Sequence, residues 1–161
     1  HRIWHGMGGR STATMLYGHV ETAAQRVDHL ERLRALQDET GGFTGFVPFA
    51  FEPSQTRLAE LGKIRRASAL EELRVIAASR LILDNFDHIT AYWISTGLPL
   101  AQIALSYGAD DLHGTIEEEK IFHMAGAQTP LGQTRGNLER AIREAGRQPV
   151  ERNTYYEAIS R

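Results

Sequence analysis

The chain has 161 residues, 42% of them apolar and 24% charged, with 18 Lys and Arg against 20 Asp and Glu and no cysteine. That length suits one domain, and a formal charge of -2 provides no concentrated basic face, so nucleic acid is not an expected partner. Without cysteine the chain alone can form no disulfide, thiolate zinc site, cysteine nucleophile or iron–sulfur ligand set. No apolar run approaches the roughly 18 residues needed to cross a bilayer, so a cytoplasmic protein with no membrane segment is expected.

His1 to His5, followed by Gly6, Gly8 and Gly9, read as the end of a helix and a turn, as in a chain that starts part-way through a longer protein. Ser11 to Tyr17, β-branched and followed by Gly18, suits a buried strand. Thr22 and Gln25 have capping-box spacing; Val27, Leu30, Leu33 and Leu36 continue a helix that Gly41-Gly42 stop. Phe43 to Phe51 is the next strand, with a bulge or early end expected at Pro48 because proline has no N–H for the ladder. Glu52 to Ala67, with its basic Lys63-Ile64-Arg65-Arg66, is polar and long for a connection. Ser68 and Glu71 form a second capping box and open a helix through Leu70, Leu73, Ala77 and Leu81. Ile89 to Ser95 reads as a third strand, Pro99 to Tyr107 as a short helix ended by Gly108, and Ala109 to His113 as a fourth, short strand. Thr115 and Glu118 suggest a third capping box for a helix toward Met124, and a last helix from about Thr134 to Ala145 precedes a polar tail.

Strands alternating with helices imply a parallel sheet, because adjacent parallel strands need long crossovers. Four such units are either a small doubly wound sheet or half of an eight-stranded barrel. No glycine-rich dinucleotide loop follows the first strand, which favours the half-barrel with its other half outside this sequence. Half a barrel has two open strand edges, which call for a partner.

Barrel chemistry sits at the carboxyl ends of strands. Here those ends offer Tyr17-Gly18-His19-Val20-Glu21, Ala50-Phe51-Glu52, Trp93-Ile94-Ser95 and Asp110-Asp111-Leu112-His113. His19 and Glu21 could be an acid/base pair, a metal site, or a hydrogen-bonded turn leading to the Thr22 cap. Of Asp110 and Asp111 at most one faces the barrel interior. Glu119 and His123 have ligand-compatible spacing but read as a solvated helix face. Phe43, Phe46, Phe49 and Phe51 read as core packing, and a buried Trp93 needs a partner for its N–H.

Thr14-Met15-Leu16-Tyr17-Gly18-His19-Val20-Glu21 resembles the GxIxGxxE element of radical S-adenosylmethionine (SAM) enzymes; Leu16, Gly18 and Glu21 match, and Thr14 replaces the first glycine. GGFTGFVPFAF, SRLILDNFDHITAYW and GADDLHGTIEEEKIFHMAGAQTP follow at suitable distances. The series covers nearly the whole chain and resembles the branch that holds deazaflavin (FO) synthase, cyclic dehypoxanthinyl futalosine synthase and aminofutalosine synthase. ATMLYGHVE, LDNFDHITAYW, ADDLHGT and IREAGRQPVERNT are most similar to the aminofutalosine synthase group, with His113 standing where that group is expected to carry aspartate and FO synthases glycine.

The resemblance implies an α/β fold: residues 1–161 as the C-terminal half, strands five to eight, of a radical SAM TIM-type (β/α) barrel, with a helical extension from about residue 127. It places a CxxxCxxC motif, and the [4Fe–4S] cluster it holds, in a missing N-terminal half, and no metal ligand in this chain. It implies reductive cleavage of SAM and addition of the 5′-deoxyadenosyl group to 3-[(1-carboxyvinyl)oxy]benzoate, giving aminodeoxyfutalosine for menaquinone biosynthesis. Its implied catalytic residues are His19 and Glu21. Tyr17 and Gly18 would line the adenosine, with Gly18 allowing close backbone approach, and the backbone of Val47 and Pro48 would face the adenine. Trp93 and Ser95 would border the aromatic substrate, Asp110 and Thr115 would close the pocket mouth, and Arg80, mid-helix, would be structural. The open edges would meet the missing half or a second copy in a homo-oligomer. The rival readings are the FO synthase radical partner, cyclic dehypoxanthinyl futalosine synthase, and a half-barrel binding scaffold without catalysis.

Overall fold

A short helix, α1 (Arg2–Gly6), leads into β1 (Ser11–Tyr17), whose side chains alternate between buried and exposed, as in a strand covered on one face. The computed structural model describes residues 1–62, 64–116 and 119–159. β2 (Phe43–Ala50) pairs parallel with β1, with Met15 opposite Pro48 and Tyr17 opposite Ala50. The irregularity expected at Pro48 lies at the other end, between Ser11 and Thr12. The reason is the direction of the missing N–H. Phe46 donates to His88 O (2.9 Å) and accepts from Thr90 N (2.9 Å), so the even-numbered residues here turn their backbone groups away from β1. By the same alternation Pro48 lacks a donor only on that side. Two residues on, the Ala50 amide is met by the Ser95 hydroxyl (3.2 Å).

The third and fourth expected strands are reduced to single parallel bridges, Phe46 with Ile89 and Thr90 with Asp111. Trp93 to Ser95 belongs not to a strand but to a short helix, α5 (Trp93–Thr96). A brief apolar run carries no periodicity that separates a buried strand from a buried helical turn. The order across the sheet is nonetheless β1, β2, Ile89–Thr90 and Asp111, all parallel and in chain sequence. The result is a mixed α/β fold around a small parallel sheet.

Helices cover one face. α2 (Ala23–Thr40) begins with the complete Thr22/Gln25 capping box and ends on Gly41 at φ +58°. α3 (Arg57–Leu61) is a single capped turn within the expected loop. α4 (Ala69–Ile82) has only half of its expected box: the Ser68 hydroxyl accepts from Glu71 N, but the Glu71 carboxylate goes to Arg26 (3.0 Å). α6 (Leu98–Ala104), α7 (Ile121–Met124) and α8 (Arg135–Glu144) follow. The helix expected from Thr115 starts only at Ile121, and the Glu118 of that capping box lies outside the described residues. Ala13, Met15, Tyr17, Phe46, Ala50 and Ile89 pack with Leu30, Leu73 and Ile76 in one apolar core. Each fully buried large side chain there contributes roughly 1.5–3 kcal/mol.

Among the described residues, no such helical layer covers β1 on the opposite face of the sheet. Thr12, Thr14 and Leu16 are exposed on it, and the register sets Gly45, Val47 and Phe49 beside them. It is called the open face below.

Candidate functional site

The C-terminal ends of β1 and β2 converge on a turn held by one carboxylate. Glu21 accepts from the amides of Gly18 (2.6 Å) and His19 (2.9 Å) and from Arg26 Nε (2.6 Å), while His19 Nδ1 stands 3.2 Å away. Burial alone would raise the Glu21 pKa, but the two amides and the guanidinium outweigh it and bring the carboxyl down to about 2. Such a carboxylate is a fixed anchor, ill suited to carry a proton at neutral pH. Gly18 has φ +86°, and a Cβ there would meet only the Ala67 methyl (3.6 Å) and Phe51 N (4.0 Å). A cleft of about 210 Å³ opens beside Gly18 and His19, bounded by Arg26, Arg65 and Glu71. Tyr17 itself turns into the helix-covered core under the Arg26 guanidinium, and burial raises its phenol pKa.

Beyond β2, Arg66 donates to Ser95 O and stands 3.5 Å from Glu52 and 4.0 Å from Glu72. Glu72 is buried, and its Oε2 has no hydrogen-bond partner among the described residues. Burial pushes this carboxyl up to about 7, Arg66 opposing and Glu71 adding to the rise. A carboxyl that holds its proton more tightly when folded loses stability as pH climbs from the unfolded value near 4.5 through about 7. Glu72→Gln in the intact protein should therefore flatten the decline of the thermal midpoint between about pH 5 and 8. An unchanged slope would assign that decline to other groups.

On the open face the register places side chains in layers. Thr14 lies beside Val47, and Thr90 lies beside Asp111, whose carboxylate it meets at 2.8 Å. This layer is closed by the C-terminal tail. Arg152 forms two bonds to Asp111 (2.8 and 2.9 Å), and Tyr156 lies between the Arg152 guanidinium (4.0 Å) and the His88 ring (4.0 Å). The Tyr156 hydroxyl sits 2.7 Å from where a Gly45 Cβ would be, so only glycine leaves room for it. The next layer toward the C-terminal strand ends is apolar: Leu16 beside Phe49, then Tyr92 and His113. Phe122 of α7 packs against Phe49 (5.8 Å, edge-on) and Tyr92 (5.8 Å).

The remaining expected site residues are dispersed. Val47 lies on the open face, and Pro48 points the other way and is buried. Trp93 is fully buried and donates to Gly114 O (2.8 Å), which supplies the partner its N–H required. Ser95 is buried against the end of β2. Asp110 turns to the helical side, meeting Arg80 (2.6 Å), His88 (2.6 Å) and Ile89 N (2.7 Å). Arg80 also reaches Gly108 O and Phe86 O and so straps that layer together. Thr115 is exposed beside a cavity of about 440 Å³ that also touches His113, α8 and residues 149–152. Glu119 and His123 are not a solvated face: Glu119 accepts from Ile121 N and Phe122 N, and His123 bonds Glu119 O (2.9 Å) and Thr129 O (2.8 Å).

Arg152, Tyr156 and Tyr92 are not singled out by the sequence. For Asp111 the alternation rule gave half the answer, since it allowed one of two adjacent aspartates to face inward. Arg152 lies 41 residues away in a polar tail, with no local signal for that pairing.

Residues 40–161 match the sequence family described as the CofH/MqnC C-terminal region. The chain is 51% identical over 160 residues to a Thermus thermophilus protein named aminodeoxyfutalosine synthase, covering 99% of this chain and 43% of that protein. It is 44% identical over 168 residues to a Streptomyces coelicolor protein of the same name, again covering 99% and 43%. A Methanoculleus marisnigri 5-amino-6-(D-ribitylamino)uracil--L-tyrosine 4-hydroxyphenyl transferase is 46% identical over 153 residues, covering 94% and 42%. The chain thus spans less than half the length of the curated relatives it matches.

Proposed function

The chain belongs to the CofH/MqnC C-terminal-region family, and from that membership we propose that the intact protein is a radical SAM transferase that makes aminodeoxyfutalosine. The observation that carries this reading is similarity along the whole chain, at 51% identity, to a protein of that name. The parallel order of β1, β2, Ile89–Thr90 and Asp111 supports reading these segments as strands five to eight of a barrel. The open face then lines the barrel lumen. The free edge of β1 pairs with the preceding part of the same protein in preference to a second copy.

This sequence has no cysteine to hold a [4Fe–4S] cluster, so the rest of the intact protein would hold it, and there it would supply the electron that cleaves SAM. The role of this half is to place the adenosyl carbon against the enol-ether double bond of the aromatic substrate and to exclude water. Gly18 presents bare backbone at the strand end, and Glu21 fixes the turn that does so. His19 is the half-buried imidazole of that turn. The tail residues Arg152 and Tyr156 close the lumen from below.

Anaerobic incubation of the reconstituted intact protein with SAM, a reductant and 3-[(1-carboxyvinyl)oxy]benzoate should give an adenosine-containing adduct detectable by mass spectrometry. Coupling of tyrosine to 5-amino-6-(D-ribitylamino)uracil instead would establish the second reading, which the 46% identity to the Methanoculleus transferase favours. Neither product, with SAM uncleaved, would leave a binding scaffold. The 161 residues alone should yield no 5′-deoxyadenosine after treatment with iron and sulfide. Its recovery would overturn the division of labour.

A further inference from the structure

We propose that the ring-lined layer formed by Leu16, Phe49, Tyr92 and His113 is the seat of a planar aromatic ring of the substrate, and that Tyr92 determines the preference for that ring. The inference rests on the open face being the lumen of a catalytic barrel, and it deepens that reading by placing the substrate at one depth.

The depth follows from what is filled. Thr90 is fully buried and Val47 nearly so, beneath a floor closed by Tyr156, Arg152 and Asp111. Over Gly45 and Thr90, a ligand cannot descend past that layer without displacing a bidentate ion pair. One layer up, Leu16 is 44% exposed, His113 is exposed, and Phe49 and Tyr92 are half-buried. This level lies two residues before Gly18, so a ring seated here sits directly below the turn that Glu21 holds.

The chemistry of the layer selects a ring over a saturated group of equal size. Tyr92 meets His113 edge-on (5.1 Å, 85°) and Phe49 and Phe122 at tilted angles (6.2 and 5.8 Å). Edge-to-face partners of this kind attract a further aromatic ring beyond what area burial provides, and offer nothing comparable to a cyclohexyl group. The layer also offers polar groups for a ring substituent. The Tyr92 hydroxyl has no hydrogen-bond partner among the described residues. Burial lowers the His113 imidazole's pKa, Asp111 opposing, which favours the neutral ring with one donor and one acceptor.

The test is calorimetric titration of the intact, cluster-loaded protein with SAM present, using 3-hydroxybenzoate and 3-hydroxycyclohexanecarboxylate as probes. The wild type should bind the aromatic acid about tenfold more tightly than the saturated one. Tyr92→Leu should bring the two within about threefold, and Tyr92→Phe should restore the preference. His113 has φ +74°, a conformation that glycine adopts without strain, so His113→Gly is a second variant that spares the fold; it should weaken binding of the aromatic acid at least threefold. A wild type that does not distinguish the acids, or a preference that survives in both Tyr92→Leu and His113→Gly, overturns the proposal. Loss of preference in a protein that makes no adenosine adduct would support the ring seat and sink the proposed reaction. An adduct made by a protein whose variants keep the preference would do the reverse.

Discussion

Asp111→Asn should lower the stability of the intact protein by about 3 kcal/mol, the scale expected when one partner of a buried, hydrogen-bonded ion pair is neutralised. The Asp111 carboxylate is only 12% exposed and receives two bonds from Arg152, one from Thr90 Oγ1 and one from His113 N. Burial raises its pKa, yet the guanidinium and these donors outweigh that and hold the carboxyl below its ordinary value. Asparagine keeps one acceptor oxygen and turns an NH₂ toward a cation, leaving Arg152 short of its countercharge. Arg152 in turn covers the Tyr156 ring, so the loss spreads to the tail. Hydrogen exchange should therefore accelerate across residues 150–159, while α2 and α4 stay protected. Arg32→Ala is the comparison: it breaks the exposed Arg32–Asp28 pair and should leave stability essentially unchanged. Equal losses in the two variants, or an unchanged tail exchange rate, would show that the floor is held by something other than this pair.

The alternation of strand and helix, the parallel order and the Thr22 capping box were legible because each rests on neighbours in sequence. Pairing length was not. Ile89 and Thr90 bridge to both sides, after which Tyr92-Trp93-Ile94-Ser95 winds into a helical turn that Gly97, at φ +79°, ends. In the fourth segment His113 at φ +74° and Gly114 at φ +115° break the extension that Ala109 to His113 suggested. At the site, the spacing of His19 and Glu21 left the hydrogen-bonded turn as one of three readings, and the partners that decide for it lie within five residues of Glu21. Alternation alone leaves Asp110 and Asp111 equivalent, and the resemblance names Asp110; the Thr90 bridge puts Asp111 on the open face. Trp93 and Ser95 stand at a strand end in the sequence, but the helical turn carries them inward.

Glu21→Gln separates anchoring from proton transfer at the strand-end turn. The carboxylate serves three donors with its two oxygens, at 2.6 to 2.9 Å, and its side chain is 14% exposed. Oε1 accepts from both Gly18 N and Arg26 Nε, and Oε2 from His19 N, so glutamine keeps the partners of one oxygen, sets an NH₂ against the donor of the other, and removes the charge that strengthens every bond. Charge-assisted bonds are roughly twice as strong as neutral ones, so a loss of about 2 kcal/mol in stability is expected. A larger effect should fall on SAM, with KM rising at least tenfold as the Gly18 backbone loses its fixed position. The pH dependence has a definite sign. A carboxyl lowered from 4.5 to about 2 by folding contributes stability that is complete above the unfolded value and disappears as pH falls from about 4.5 through 2. The variant should lack that portion of the acid unfolding curve. If Glu21 instead carried a proton in catalysis, its removal would abolish a limb of the pH–rate profile near neutrality and leave KM for SAM alone. A group held near 2 cannot produce such a limb, so a KM that does not move would refute the anchoring role.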